Sequence, residues 1–373
     1  MDPQKEACPN PECTARGLIG QGNIGIHSHK ERRYICHTCG KTFAATTGTP
    51  FYRRRYEAEF ISQMVSLLAH GCPPQAIVAT YDIDERTVAD WEQAAGAHTR
   101  QVHKALVQQG RLDLQQVQVD EIRVKAQGRI VWMAMAIAVT TRLWLGGVVS
   151  STRDMPMAVA LALQVKACAL CRPLLVCFDG FVAYIGAFRQ VFRTPLREGR
   201  VGRPTLIPWP DLALGQVIKQ YARRRVVGVE RRLVQGSEAL VQGLLAVSQG
   251  GGVLNTSYIE RLNGTFRSCL ACLVRRGRSL ARTVETLDAG MYLVGCVYNF
   301  CTWHQSLRLP LYVSEGRRER RRWVPRTPAM AAGLTDHRWT VLELLSFKVP
   351  LPPYVPPKRR GRPPKVAALA QAA

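Results

Sequence analysis

The chain has 373 residues, 47% hydrophobic and 21% charged, which is enough apolar material for two or three packed domains and excludes a disordered protein. Its 51 lysines and arginines against 27 aspartates and glutamates leave a net charge of +24, a surface that favours a polyanion, nucleic acid above all. A membrane surface is the weaker partner because it needs a basic amphipathic helix, and here the arginines are spread through every segment.

The opening residues Met1 to Asn10 are polar, with no apolar run of the kind a secretory signal carries. The most apolar stretch, Ile130 to Val139, is about half of the ~20 residues a membrane helix needs and reads as a buried strand. Twelve cysteines in such a chain point to metal ligands and buried thiols rather than disulfides, so the expected compartment is reducing and cytoplasmic.

Residues 1–50 are rich in Gly, Cys, Pro and Thr and need a staple to fold. Cys8-Pro-Asn-Pro-Glu-Cys13 and Cys36-His-Thr-Cys39-Gly-Lys each put two thiols on a turn-forming stretch, the spacing of a zinc ribbon with Cys8, Cys13, Cys36 and Cys39 as ligands to one structural Zn²⁺. His27, His29 and His37 are the substitute ligands to weigh against them. The later pairs Cys168 with Cys171 and Cys269 with Cys272 lie in apolar or helical sequence without turn residues and read as packing residues.

Residues 51–105 are expected to form an all-α helix-turn-helix. Phe60, Ile61, Met64, Val65, Leu67 and Leu68 repeat at helical spacing, Gly71 ends that helix, and Pro74 opens a short second one through Tyr81. Asp84 is placed to cap a third, Glu85 to Ala95, whose Arg86, Thr87 and Asp90 are then the candidates to touch DNA. A plain helical hairpin within a larger domain is the competing reading.

Residues 111–312 alternate Val- and Ile-rich runs with a helical stretch, Met157 to Ala169, as an α/β domain does; residues 180–253 read as a basic insertion without assignable structure. Gln116-Val-Gln-Val-Asp120 sets an aspartate in a strand, and Leu174-Leu-Val-Cys-Phe-Asp179-Gly180 puts another at a strand tip, where open α/β sheets bind ligands. Glu121, next to Asp120, is expected on the opposite face of the strand. A helix beginning near Asn255 carries Glu260, Asn263 and Arg267 along one face, an acid, an amide and a base suited to metal and phosphate together. Asp120, Asp179 and Glu260 are therefore the candidate ligands for Mg²⁺ or Mn²⁺, hard cations that take carboxylate oxygens. Residues 313–373 read as a basic, Pro-rich tail in which Arg360, Gly361 and Arg362, within Lys358 to Lys365, resemble an AT-hook for a narrow minor groove.

Val119-Asp-Glu-Ile, Phe178-Asp-Gly and Asn255-Thr-Ser-Tyr-Ile-Glu-Arg-Leu-Asn resemble the three catalytic blocks of bacterial insertion-sequence transposases with a DDE, ribonuclease H-like core. Cys36-His-Thr-Cys-Gly-Lys-Thr-Phe and Thr47-Gly-Thr-Pro-Phe-Tyr are similar to the zinc module of the InsA/InsB-like group, and Tyr298-Asn-Phe to His304-Gln-Ser-Leu to its closing helix. Phe178 departs from the Thr or Ser common before Asp-Gly. The resemblance implies a multidomain chain of zinc ribbon, helix-turn-helix and α/β catalytic core. The implied enzyme cuts double-stranded DNA at element ends and joins the freed 3′ hydroxyl to target DNA, as a homo-oligomer, with Asp120, Asp179 and Glu260 holding the metal. The rivals are a DNA-binding regulator with an inactive catalytic domain and a recombinase attacking through Tyr258 or Tyr298.

Overall fold

The computed structural model describes residues 1–197, 202–223, 225–274, 283–315 and 318–356. They divide into two units, Met1–Gly48 with the described residues from Pro350 onward, and Thr49–Val349.

In the first unit, β1 (Ile24–Ser28), β2 (Arg33–Cys36) and β3 (Thr42–Ala44) form an antiparallel sheet in that order. Its register pairs Ile24 with Cys36 and Tyr34 with Phe43, so alternate side chains meet on one face. Ala15, Ile24, Tyr34 and Phe43 bury there beside three of the four paired cysteines, and the core has little else. So small a core is of the size that needs a cross-link or a metal to persist.

The second unit opens with α1 (Ala58–Ala69), α2 (Pro74–Tyr81) and α3 (Glu85–Leu106). Ile61, Met64, Val65 and Leu68 form the buried stripe of α1, the spacing of one helical face. Pro74 stands in the first turn of α2, where a missing N–H costs nothing, and Asp82 closes that helix in the left-handed region at φ 53°. The Asp84 carboxylate caps α3 by accepting from the backbone N–H groups of Arg86 and Thr87 at 2.9 and 3.3 Å.

β4 (Gln116–Ala126), β5 (Arg129–Ala138) and β6 (Trp144–Ser150) then run as an antiparallel meander. After α4 (Met155–Cys168), β7 (Leu174–Phe178) returns parallel to β4. Next come α5 (Ala183–Val191), a separate hairpin of β8 (Arg193–Leu196) and β9 (Thr205–Pro208), and β10 (Leu212–Ala222), which lies parallel to β7. β11 (Arg225–Gln235) folds back on β10, completing a mixed six-stranded sheet in the order β11-β10-β7-β4-β5-β6. The chain continues through α6 (Glu238–Gln249), α7 (Ser257–Cys269) and α8 (Val284–Cys296), which passes into a π-helical turn at Val297–Cys301. A second isolated hairpin, β12 (Leu309–Glu315) with β13 (Arg318–Val324), precedes the short helices α9 (Pro328–Ala331) and α10 (Val341–Ser346).

Strand alternation divides the core. Val117, Val119, Ala134 and Ala136 join Leu161 and Val165 of α4 and Phe188 of α5 on one face. Ile122, Val124, Met133 and Met135 face the other way, onto Ile259, Leu262 and Phe266 of α7 and Met291 of α8. Both faces are thus covered by helices, as a sheet with buried parallel strands requires.

Three sequence expectations differ from what is found. The third helix was expected to stop at Ala95 and instead runs to Leu106, because its second half has its own buried stripe, Thr99, Val102 and His103, and packs along α8. The stretch 180–253, expected as a basic insertion, instead contributes to the core sheet, with Leu212 to Val217 of β10 buried within it. Nor do residues 326–349 form a tail, since Ala329, Leu344 and Leu345 are buried and the Trp339 ring stacks between Phe300 and Phe347 at 4.8 and 5.4 Å. Among the described residues no helix is long and apolar enough to cross a membrane.

Candidate functional site

The four N-terminal cysteines converge from two turns. After Cys8 the chain bends through Pro9, and the backbone N–H of Cys13 donates to Asn10 O at 3.2 Å. Past Cys36 it reverses at Gly40, whose N–H donates to Cys36 O at 2.8 Å with φ at 67°, a conformation that favours glycine. All four Sγ atoms lie within 4.8 Å of one another, with Cys8 to Cys39 at 3.7 Å and Cys13 to Cys36 at 3.8 Å. Tetrahedral zinc with Zn–S bonds of ~2.3 Å separates its sulfurs by about 3.8 Å, so the donor set fits that ion. Burial pushes the Cys8 and Cys13 thiols up. Cys39 is also opposed by burial, but the Lys41 backbone N–H and the Asn10 side chain outweigh it and hold this thiol down to about 7. No histidine joins the group: among the described residues the two metal-capable clusters are these cysteines and an acidic one.

The acidic cluster forms where β4 and β7 run side by side. Their parallel register pairs Val117 with Val176 and Val119 with Phe178, so the next residues in each strand, Asp120 and Asp179, come level where β7 ends. Asp120 points to the α7 side and accepts a hydrogen bond from Asn263 Nδ2 at 2.7 Å. Asp179 turns at the strand tip, its Oδ1 accepting from the Phe181 N–H at 2.9 Å. Glu121 leaves β4 on the α5 side, as alternation expects, where the Tyr184 hydroxyl donates to it at 2.9 Å and Arg153 forms an ion pair with it. Even so, Asp120, Glu121 and Asp179 each offer an oxygen within 4.8 Å of the others. Arg153 also reaches Asp179 at 3.6 Å.

Burial, then the charges of Glu121 and Asp179, raise the Asp120 carboxyl to about 7. Burial and Asp179 likewise push Glu121 up, against the pull of Arg153 and Tyr184. Carboxylates that raise one another's proton affinity are a donor set for a cation, and the acidic group can hold a divalent metal.

Glu260 stands outside that cluster. It lies in the first turn of α7, where Lys219 of β10 pairs with it at 2.5 Å and the Thr256 hydroxyl donates to it at 2.6 Å. Its charge still contributes to the rise at Asp120. α7 is aimed by Gln118, whose Oε1 accepts from the Tyr258 and Ile259 backbone N–H groups at 2.9 and 3.1 Å, and this sets Asn263 over Asp120. Asn263 is buried with Oδ1 unpartnered, and Arg267 lies one turn further on, half-buried.

The residues expected to touch DNA scatter. Arg86 is exposed and Thr87 half-buried at the start of α3, while Asp90 on the same helix pairs with Arg54 at 3.8 Å. Arg360, Gly361 and Arg362 lie outside the described residues. The sequence reading missed Arg153, Tyr184 and Lys219, which engage Glu121, Asp179 and Glu260. Nothing in local spacing points to them, because each arrives from a different element. The sequence matches no protein-family model and no curated protein.

Proposed function

We propose that the chain is a DNA transposase of the DDE type, cutting phosphodiester bonds at element ends and joining the freed 3′ hydroxyl to target DNA. The observation that carries this reading is the level pair Asp120 and Asp179 at the end of β7, with Asn263 on Asp120 and Glu260 on the same helix. The ribonuclease H-like reading draws support from the sheet, an antiparallel meander β4-β5-β6 with β7 and β10 parallel to β4. Zn²⁺ held by Cys8, Cys13, Cys36 and Cys39 staples the N-terminal ribbon, and α1 to α3 serve as the helix-turn-helix.

Asp120 and Asp179 would hold Mg²⁺ or Mn²⁺, with Glu260 as the third carboxylate. Divalent metal there would supply Lewis-acid stabilisation of charge on the phosphodiester oxygens and activation of the nucleophile, water in cleavage and the freed 3′ hydroxyl in joining. Asn263 fixes the orientation of Asp120, and Arg153 restrains Glu121 and Asp179 so that the acids cannot splay apart. The surplus of 24 positive charges draws duplex DNA to the surface.

The test is cleavage of labelled duplex carrying the ends of the encoding element, with Mg²⁺ or Mn²⁺, alongside a gel-shift assay. Asp120→Ala, Asp179→Ala and Glu260→Ala should each reduce cleavage and joining on the order of 10³-fold or more while DNA binding stays near wild type. Near-normal cleavage by Asp179→Ala refutes the site. A second reading, a DNA-binding regulator without strand chemistry, is favoured by the position of Glu260, outside the acidic cluster and paired with Lys219. Metal-independent DNA binding with no cleavage by the wild-type protein would select it.

A further inference from the structure

A second polar cluster lies on the α7 side of the sheet, apart from the carboxylates. Arg142, in the connection between β5 and β6, lays its guanidinium over the Tyr258 ring of α7, with Cζ 4.0 Å from the centroid. Its backbone sits in the left-handed region at φ 58°, a conformation that costs free energy in a residue with a side chain. Its Nη1 is buried with no hydrogen-bond partner, and among the described residues no carboxylate pairs with it. The Tyr298 ring packs edge-on to His304 with centroids 6.2 Å apart, and His304 Nδ1 is 3.0 Å from the Ser306 hydroxyl. Arg261, exposed on α7, is near enough to act electrostatically on both Arg142 and His304.

Arg142 and Arg261 act on His304 in the same direction as its burial, which lowers its pKa first and furthest, to about 4. Burial likewise lowers Arg142, with Arg261 adding to it against the two tyrosines. The acid next in sequence, Glu260, is already engaged by Lys219 and Thr256. A half-buried guanidinium with an orphaned donor, a second guanidinium and no acid is an arrangement that an anion would complete.

We infer that Arg142, Arg261 and His304, walled by Tyr258 and Tyr298, form a binding site for a phosphate group, filled by the DNA backbone. Filling by DNA rests on the proposed function; the anion site itself rests on the buried, unpartnered Nη1 of Arg142. A guanidinium gives a phosphate two parallel hydrogen bonds, and Arg142 is fixed in place by the tyrosine beneath it. Tyr258 precedes Asn263 by five residues on α7, about 7.5 Å of helix rise. A strand whose phosphate sits at Arg142 is thereby registered against the helix that carries Asn263.

The experiment measures duplex affinity of wild type, Arg142→Gln, Arg142→Lys and Arg261→Gln from about 50 to about 200 mM salt, with thermal melting in inorganic pyrophosphate as a second arm. Arg142→Gln should weaken unrelated duplex sequences equally and flatten the slope of log K against log salt by about 1, with Arg142→Lys retaining part of both. Arg261→Gln should do the same, and its exposed position keeps folding out of the comparison. Pyrophosphate should raise the melting temperature of wild type and not of Arg142→Gln. Unchanged slope and affinity in folded Arg142→Gln and Arg261→Gln overturn the site. If wild type binds no duplex, the proposed function fails first; the phosphate site then survives only if the pyrophosphate shift is present and lost in Arg142→Gln.

Discussion

His103 on α3 is fully enclosed, with Nε2 3.1 Å from Leu145 O and its ring 4.8 Å from that of Trp144. Burial lowers its pKa to about 4, and burial does the same to His98 one turn earlier. Each folded value lies below the unfolded value near 6.5, so the native state holds these rings neutral while the unfolded chain protonates them. The contribution of these histidines is therefore complete above about pH 6.5 and is lost as the pH falls towards 4, by an amount on the order of 3 kcal/mol for His103. Urea midpoints at pH 7 and pH 4.5 test this: the fall should be clearly smaller in His103→Gln, and an identical fall in both proteins would show that the acid loss arises elsewhere. At the same scale Asp120 and Asp179 were legible in the sequence, because an acid ending an apolar run stands out in an acid-poor chain. The approach of Glu121 was not, because alternation sends its backbone position to the other face and only the length of the side chain brings its oxygen back.

Among the elements, α3 and α8 meet closely at Gly96. A Cβ placed there would stand 2.5 Å from Ala289 O and 2.6 Å from Ala289 Cβ, contacts that only movement of a helix backbone can relieve. Gly96→Ala should thus destabilise the protein by about 1–3 kcal/mol even though alanine is the better helix former. Gly264, on the open side of α7, has nothing within 4 Å of such a Cβ, so Gly264→Ala should stabilise by about 0.5–1 kcal/mol. Chemical denaturation of the two variants side by side checks both; equal signs would contradict the packing described. Single-sequence periodicity registers the glycine as a break in either helix and has no means to tell the two apart.

At the scale of the molecule, the two units rest on different sources of stability. Thr49–Val349 has an extended apolar core on both faces of a six-stranded sheet, whereas Met1–Gly48 has a handful of buried side chains around four thiols. Elemental analysis should find one zinc per chain, and a strong chelator should unfold the first unit while leaving the cooperative melting of the second. Limited proteolysis would read this as cleavage confined to the N-terminal 48 residues after chelation. A metal-free preparation resistant to proteolysis throughout would refute the zinc staple.

The sequence by itself determined what local rules govern: the cysteine knuckles, the stripe of α1, the Asp84 cap, the alternation of β4, the apolar run of β5, and the surplus of positive charge. Capping, turn geometry and periodicity act within a few residues, so the neighbouring letters suffice. What only the tertiary structure decided depends on residues far apart in the chain. β10 joins the sheet because β7 offers it a parallel edge, α3 runs on to Leu106 because α8 covers its second half, and Trp339 draws the chain after residue 325 into the core through Phe300. The pairing of Glu260 with Lys219 and the stacking of Arg142 on Tyr258 belong to the same class. Long-range burial sets where a charged side chain finds its partner, and no pattern along the sequence records that choice.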